Sequence, residues 1–185
     1  MSIPISLHRE PVGVKAIARH YIRELIYGAN DGIITTFAVV AGVAGGALSA
    51  QATMIIGTAN LLADGLSMAA GNYLSIRSYE AARAAEHLPQ EEASPLRHAI
   101  ATFVAFVTAG AVPLMPFVVD VTASSHLTAS AVLTFATLFA IGALRTLITV
   151  DRWWVAGLEM LGLGVAVSIA AYGSGYVLAW VLANA

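Results

Sequence analysis

The positions of the basic residues constrain this chain more than any other feature of its sequence. Only nine Lys and Arg residues occur among 185, and long apolar stretches separate the groups that they form. Five stretches each reach about 20 residues, the length that crosses about 30 Å of hydrocarbon at 1.5 Å per residue. They are Ala29–Ser49, Ala52–Leu74, Ala99–Val119, Leu127–Thr149 and Trp154–Leu182. We therefore predict an all-α integral membrane protein with five transmembrane helices.

The composition agrees with a membrane location and excludes several functions. Hydrophobic residues make up 58% of the chain and charged residues 11%, against about 45–50% and 25% in soluble domains. The sequence has no cysteine, which excludes disulfides, thiolate metal sites and thiol catalysis. No basic cluster with interleaved aromatic residues suggests a nucleic-acid partner. No nucleophile–base pattern or phosphate-binding loop appears either, so we expect neither an enzyme nor a resident cofactor.

The basic residues also predict the orientation of the helices. Four precede the first span, three follow the second span, and the last two, Arg145 and Arg152, lie at the end of the fourth span and just after it. The remaining loops and the C-terminal end carry none. By the positive-inside rule, the loops with basic residues are cytoplasmic. Five spans then place the N-terminus in the cytoplasm and the C-terminus outside it.

Residues 1–28 are predicted to form a cytoplasmic amphipathic helix, and residues 29–185 the transmembrane domain. Lys15, Arg19 and Arg23 recur every four residues, which suits a helix lying on anionic headgroups; a helical extension of the first span is the alternative. A cleaved signal peptide is disfavoured, because the first apolar run is long and carries Asp31.

Prolines mark two interruptions in the predicted helices. Pro89 and Pro95 prevent a continuous helix through the short cytoplasmic loop 76–97. Pro113 and Pro116 are expected to kink the third transmembrane helix.

Three acidic residues lie within or at the edges of predicted spans: Asp31, Asp64 and Glu159. A carboxylate in mid-membrane costs about 2.5–3.5 kcal/mol on insertion scales, and such residues usually serve a transport path or bind an ion. The only basic residue inside the predicted spans is Arg145, four residues before the end of the fourth, so no basic residue lies deep enough to neutralise an acid in mid-membrane. The carboxylates must therefore be protonated, hydrated or paired with an external cation, which predicts a site that handles cations.

Helical spacing on the second span suggests what kind of cation. Asn60, Asp64, Met68 and Asn72 recur every four residues and share one face. A carboxylate beside a thioether suits a divalent transition metal better than calcium or magnesium. The alternative is that Met68 is ordinary packing and that the asparagines form hydrogen bonds between helices.

Other candidate residues have an equally plain structural interpretation. Glu159 and Met160 are candidates for a second pair of metal ligands. The alternative is that Glu159 is simply an acid at the membrane interface, beside Arg152. Five loop residues could collect cations at the cytoplasmic mouth or simply form a solvated face: Glu80, Glu86, His87, Glu91 and Glu92.

Small residues on the first span predict a helix–helix contact. The face that begins at Asp31 and Thr35 continues through Ala38, Gly42 and Gly46. This small-xxx-small spacing permits close approach of two helices. We expect a homodimer in which the first helices of the two protomers meet along this face.

Three segments resemble the vacuolar iron transporter (VIT) family. Tyr27–Gly46 is similar to the signature of its first helix, Ala63–Ser75 to that of its second, and Gly157–Leu161 to the start of its fifth. Iron-specific members insert a long metal-binding cytosolic domain where this chain has only residues 76–97. The chain thus resembles the short, nodulin-like or bacterial type.

The resemblance implies a homodimer that exports Fe(II) or Mn(II) from the cytosol in exchange for protons, along a path between protomers. It implies that Asp31 and Met68 belong to the metal path. Relatives commonly have glutamates where this chain has Asn60 and Asn72, and Asp64 is the candidate to compensate. A passive divalent-cation channel and a non-transporting membrane scaffold are the alternatives.

The expected partners are therefore divalent metal ions, protons, membrane lipids and a second copy of the chain. The expected location is a bacterial plasma membrane, or a vacuole-type membrane in a eukaryote.

Overall fold

The computed structural model of the protein describes residues 11–119 and 126–184, and the described secondary structure is entirely helical. The elements in chain order are α1 Val14–His20, α2 Ile22–Gly45, α3 Ala50–Ala85, α4 Pro95–Gly110, a 3₁₀ turn Val112–Leu114, α5 Met115–Val118, α6 His126–Arg145 and α7 Trp153–Ala183.

Five helical segments of the described chain are long and apolar enough to cross a membrane. They are α2, α3, the segment Pro95–Val118 that contains α4 and α5, α6, and α7. The prediction of an all-α integral membrane protein with five spans is thereby confirmed. We call the end of the bundle that holds the start of α2, the end of α3 and the start of α4 the basic end.

The predicted N-terminal amphipathic helix is divided between two elements. Residues 1–10 lie outside the described residues. Lys15 and Arg19 lie exposed on α1, which has no buried residue, and residues 22–28 already belong to α2. Tyr21 alone separates α1 from α2, and its N–H donates to the Ile17 carbonyl over 3.0 Å. The first membrane helix thus begins before the predicted Ala29.

The helix α2 lies at the centre of the bundle and contacts α3, α4, α6 and α7. One buried cluster comprises Phe37, Val40, Leu61, Phe106 and Leu114. The contact between α2 and α4 is especially close, because a Cβ added at Gly32 would overlap the main chain of Phe106. Glycine therefore permits an approach of these two helices that any other residue would prevent.

The helix α3 is longer than the predicted span, and most of its surface is exposed. Its 36 residues extend over about 54 Å, well beyond the thickness of a bilayer core. The predicted loop 76–97 is reduced to residues 86–94, because α3 continues through Ala85 and α4 begins at Pro95. The left-handed φ of 60° at His87 ends α3, where the Leu88 N–H donates back to the Arg83 carbonyl over 2.9 Å.

The predicted kink at Pro113 and Pro116 is confirmed. The third span leaves α-helical geometry after Gly110, passes through the 3₁₀ turn and resumes as the short α5. Proline causes this break because it lacks an N–H donor and clashes with the preceding turn. The Ser130 hydroxyl on α6 donates to the Pro113 carbonyl over 2.7 Å, which satisfies a buried acceptor.

Candidate metal site in the helix bundle

Two carboxylates on neighbouring antiparallel helices lie at matching depths in the bundle. Both positions are counted from the connection between α2 and α3. Asp31 lies 14 residues before the end of α2, and Asp64 lies 14 residues after the start of α3. Both are half-buried, and the two helices that carry them are in contact. Among residues 11–119 and 126–184, neither forms an ion pair with a basic side chain. The structure thus places two of the three acids that the sequence singled out at one depth on contacting helices.

The amide of Asn60 supports the second of these carboxylates. Its Nδ2 donates to Asp64 Oδ2 over 2.8 Å, from one turn earlier on α3. The hydroxyl of Thr35, one turn after Asp31, donates instead to the Asp31 main-chain carbonyl over 2.7 Å. Asn60 therefore contributes directly to the carboxylate pair, whereas Thr35 is engaged by its own helix.

Met68 and Asn72 continue the same face of α3 but differ in their contacts. Met68 is partly buried and packs against the cluster that contains Phe37 and Phe106. The Asn72 amide donates to the Thr102 hydroxyl on α4 over 2.9 Å. Asn72 thus links two helices, and the structure does not bring its amide to the carboxylates.

The small residues of α2 lie partly against α7 of the same chain. A Cβ added at Gly42 would lie 3.5 Å from the Ala171 carbonyl, and one at Gly46 would lie 3.8 Å from the Gly175 carbonyl. Ala38 is half-buried. The predicted contact between the first helices of two protomers stays a prediction, for which Ala38 is the better-suited position.

Glu159 and Met160 point into different surroundings. The Glu159 carboxylate pairs with the Arg145 guanidinium at the end of α6. Met160 is only 3% exposed and packs with Ile33 and Leu138. The structure therefore gives Glu159 a basic partner other than the Arg152 considered from sequence, and it places Met160 in the core.

The five loop candidates do not form one cluster. Glu80 accepts the main-chain N–H groups of Glu91 and Glu92, at 3.3 Å and 2.9 Å for the same oxygen. The Glu91 carboxylate pairs with Arg83 at 2.9 Å. Glu86 and His87 are exposed at the end of α3. Glu80 and Glu91 thus fasten the 86–94 connection to α3, and Glu92 belongs to a different group.

That group lies at the basic end and consists of His20, Glu24, Glu92 and His98, which we call the His–Glu cluster. His98 Nε2 lies 2.9 Å from Glu92 Oε2, and His98 Nδ1 lies 3.2 Å from Glu24 Oε1. His20 Nε2 lies 3.8 Å from Glu92 Oε2. The cluster borders an open cavity of about 510 Å³.

Sequence reasoning named only Glu92 of this cluster. The other three residues lie near the starts of α2 and α4, at least 74 positions apart in sequence, and only the packing of these helices joins them. Asn30 was missed as well: its Oδ1 is buried beside Asp31 in sequence and has no hydrogen-bond partner among the described residues. His20, Glu24 and His98 lie just outside the predicted spans, so the available signal was polar residues in the segments that adjoin a span.

Known proteins match this chain along most of its length. The VIT family model matches residues 22–88 and 80–176. A vacuolar iron transporter of Toxoplasma gondii is 46% identical over 55 residues, which cover 30% of this chain and 18% of that protein. Vacuolar iron transporter 2 of Oryza sativa subsp. japonica is 24% identical over 213 positions, which cover 84% of this chain and 87% of the relative. Vacuolar iron transporter homolog 5 of the same plant is 35% identical over 109 positions, covering 54% and 52%.

The form of these matches agrees with a short connection between α3 and α4. The 213-position alignment is longer than this 185-residue chain, so the rice relative has residues that this chain lacks. The family match divides at residues 80–88, where α3 ends and the connection begins. The first matched segment contains both helices that carry the carboxylates. Because the two segments together cover far more than half of the sequence, the chain belongs to the VIT family.

Proposed function

We propose that this protein transports a divalent transition metal out of the cytosol in exchange for protons, with Fe(II) as the preferred cargo and Mn(II) as the second. The observation that carries the proposal is the pair of carboxylates at one depth of a five-span bundle, Asp31 and Asp64, which form no ion pair with a basic side chain of the described residues. The names of its relatives, vacuolar iron transporters, support the same cargo.

The proposed binding step is electrostatic. Two carboxylates carry the charge that neutralises one divalent cation, and each charge is costly in the membrane without such a partner. Asn60 holds one oxygen of Asp64 and leaves the remaining carboxylate oxygens for the ion. Met68, one turn further along α3, supplies a thioether that favours iron over harder cations such as magnesium.

Proton coupling follows from competition for the same oxygens. Metal ligands must be deprotonated, so a metal ion and protons cannot occupy the carboxylates together. In the proposed cycle the metal ion enters from the cytosolic side and displaces the protons. Protons from the other side then release the metal, and the neutral, protonated site returns.

The proposed path lies between two protomers, beside α2 and α3. The large exposed surface of α3 and the half-buried state of both carboxylates are consistent with a partner chain that completes the enclosure. Metal selectivity then depends on the bundle itself, because the 86–94 connection is too short for a separate metal-binding domain.

Reconstituted vesicles test this function directly. We expect Fe(II) or Mn(II) to accumulate against its concentration gradient when a proton gradient is imposed, and to stop accumulating when an ionophore dissipates that gradient. Metal flux that only equilibrates concentrations, with or without the proton gradient, would support a passive channel instead. No flux above that of protein-free vesicles would support the scaffold.

The direction of transport depends on orientation, which a reporter fused after Ala185 tests. A periplasm-specific reporter should be active there, because the basic residues predict an extracytoplasmic C-terminus. Activity of a cytoplasm-specific reporter at the same position would reverse the proposed topology.

A further inference from the structure

We propose that the His–Glu cluster is a second site for a divalent transition metal, with His20, Glu92 and His98 as ligands and Glu24 as the residue that positions His98. The site is separate from the Asp31–Asp64 pair, because Glu24 precedes Asp31 by seven residues on α2, or about 10 Å along the helix axis. Its existence does not depend on the proposed transport function.

The ligand atoms already lie near the separation that a metal requires. One atom each from His20, Glu92 and His98 lie within 4.8 Å of one another. Nitrogen and oxygen ligands sit about 2.0–2.2 Å from a zinc-sized ion, so two of them are about 3.4 Å apart in tetrahedral geometry. A closure of about 1–1.5 Å, within reach of small side-chain rotations, would therefore bring all three to one ion.

Glu24 is positioned to orient His98 for metal binding. With Nε2 of His98 facing Glu92, the opposite ring atom Nδ1 lies 3.2 Å from Glu24 Oε1. Histidines that bind metals usually donate their other N–H group to a carboxylate, which fixes the tautomer and the ring orientation. Glu24 Oε1 is therefore close enough to accept such a hydrogen bond from Nδ1 after a small rotation of the ring.

The burial of the cluster supplies independent support. Glu24 and His98 are each only 2% exposed, and Glu24 Oε2 and His98 Nδ1 lack a hydrogen bond in the described chain. The Arg23 guanidinium contacts Glu24 Oε1 at 2.9 Å, so it leaves the other oxygen unsatisfied. Buried polar groups are seldom left without partners. Metal binding at His98 Nε2 would favour the tautomer with a proton on Nδ1, which can donate to the adjacent Glu24 carboxylate.

The chemistry of the donors indicates the class of metal. Two imidazoles and one carboxylate suit Mn(II), Fe(II), Co(II) and Zn(II), whereas magnesium and calcium prefer oxygen ligands alone. The open cavity beside the cluster, lined also by Arg23, Ser75 and Tyr79, leaves room for water molecules to complete the coordination shell.

Titration of the purified full-length protein with Co(II) tests the site, since the visible spectrum of Co(II) reports its ligands. The titration uses a chain carrying Asp31→Asn and Asp64→Asn, so that the carboxylate pair contributes no binding, and the wild type for reference. We expect one Co(II) per chain in this background. His20→Gln and His98→Gln should each weaken binding at least 10-fold. Glu24→Gln should weaken it about 10–100-fold and leave the ligand spectrum essentially unchanged.

His87→Asn is the matched control. It removes an exposed imidazole from the same end of the protein, at a left-handed position that asparagine tolerates, and it should leave Co(II) binding unchanged. If His98→Gln fails to fold, the more exposed His20→Gln and Glu92→Gln decide the matter. Equal Co(II) affinity in the parent and in His20→Gln or Glu92→Gln would overturn the site. If the wild-type protein binds Co(II) at the cluster but transports no metal, only the proposed transport function is contradicted.

Discussion

Asn60 and Asp64 lie one turn apart on α3, and the Asn60 amide donates a hydrogen bond to Asp64 Oδ2 over 2.8 Å. The amide supports the carboxylate without adding a charge of its own. A glutamate at position 60 would add a third negative charge beside the proposed ion, whereas Asn60 adds none. The empty site is then less self-repulsive, at the expense of attraction for the metal.

Replacing Asn60 with Glu should reverse this balance. A third carboxylate one turn from Asp64 adds like-charge repulsion in the empty protein and a further ligand in the loaded one. We expect a lower melting temperature than the wild type without metal, and a larger increase in melting temperature on adding Mn(II), because ligands stabilise the state that binds them. Asn60→Gln is the uncharged control. A Mn(II)-induced shift equal to that of the wild type would show that position 60 does not face the ion.

Asp31→Asn and Asp64→Asn should abolish most metal transport while preserving the fold. An amide keeps the shape and hydrogen-bonding capacity of the side chain, but it neither neutralises a cation nor exchanges a proton. We expect Asp31→Asn to lose nearly all uptake and Asp64→Asn to lose most of it, with unchanged elution in size-exclusion chromatography. Asp151→Asn makes the same change at an exposed position between α6 and α7 and should transport normally. Wild-type uptake by Asp31→Asn would refute the proposed site and its proton coupling.

Met68→Leu should affect selectivity more than stability. The side chain packs against the buried cluster around Phe37 and Phe106, and a swap of similar volume costs less than about 1.5 kcal/mol. The change deletes the thioether, so we expect magnesium to compete more strongly with Fe(II) uptake. The measurement is inhibition of Fe(II) uptake by increasing Mg(II). An unchanged inhibition curve would leave Met68 as a packing residue only.

Gly32→Ala should destabilise the contact between α2 and α4. The added Cβ meets the main chain of Phe106, which cannot move aside as a flexible side chain could, and overpacking of this kind costs about 1–3 kcal/mol. Gly71→Ala is the matched control, because a Cβ there meets open space and alanine is the better helix former. Thermal unfolding in detergent should show a lower melting temperature than the wild type for Gly32→Ala and no decrease for Gly71→Ala. Equal melting temperatures would contradict the close approach of these helices.

Ala38→Cys should form a disulfide between two chains if α2 lies at a dimer interface. The chain has no cysteine of its own, so any dimer crosslink reports this position alone. We expect a crosslinked dimer under mild oxidation in the membrane, and none with the same substitution at exposed Val150. Gly42 is less suitable, because a larger side chain there also meets Ala171 of the same protomer. A monomer that still transports metal would exclude the dimeric path.

The five spans and the carboxylate pair could be predicted because each follows from the local sequence, without knowledge of tertiary contacts. An apolar run of about 20 residues is readable locally, and an acid within it is costly whatever surrounds it. The extent of α3 was missed because residues 76–85 are too polar for a span. Their run of alanines with Glu80 and Arg83 nevertheless favours a helix strongly.

The burial and hydrogen-bond partners of single side chains could not be predicted, because they depend on tertiary contacts. Met160 and Met68 look alike in sequence, yet one lies deep in the core and the other lies on the face that carries Asp64. Spacing placed Asn60 and Asn72 on one face, but Thr102 on α4 takes up the amide of Asn72. The His–Glu cluster joins two segments far apart in the chain, and no local pattern reveals such a meeting.

The unbroken α3 helix has a mechanical consequence. Asp64 and Glu80 belong to the same helix, 16 residues or about 24 Å apart. Glu80 in turn holds the main chain of Glu91 and Glu92. A helix is stiff over this distance, so a tilt of about 5° that pivots near Asp64 sweeps Glu80 through about 2 Å. A small rotation of α3 at the depth of Asp64 would therefore displace the connection that carries Glu92 by an ångström-scale distance.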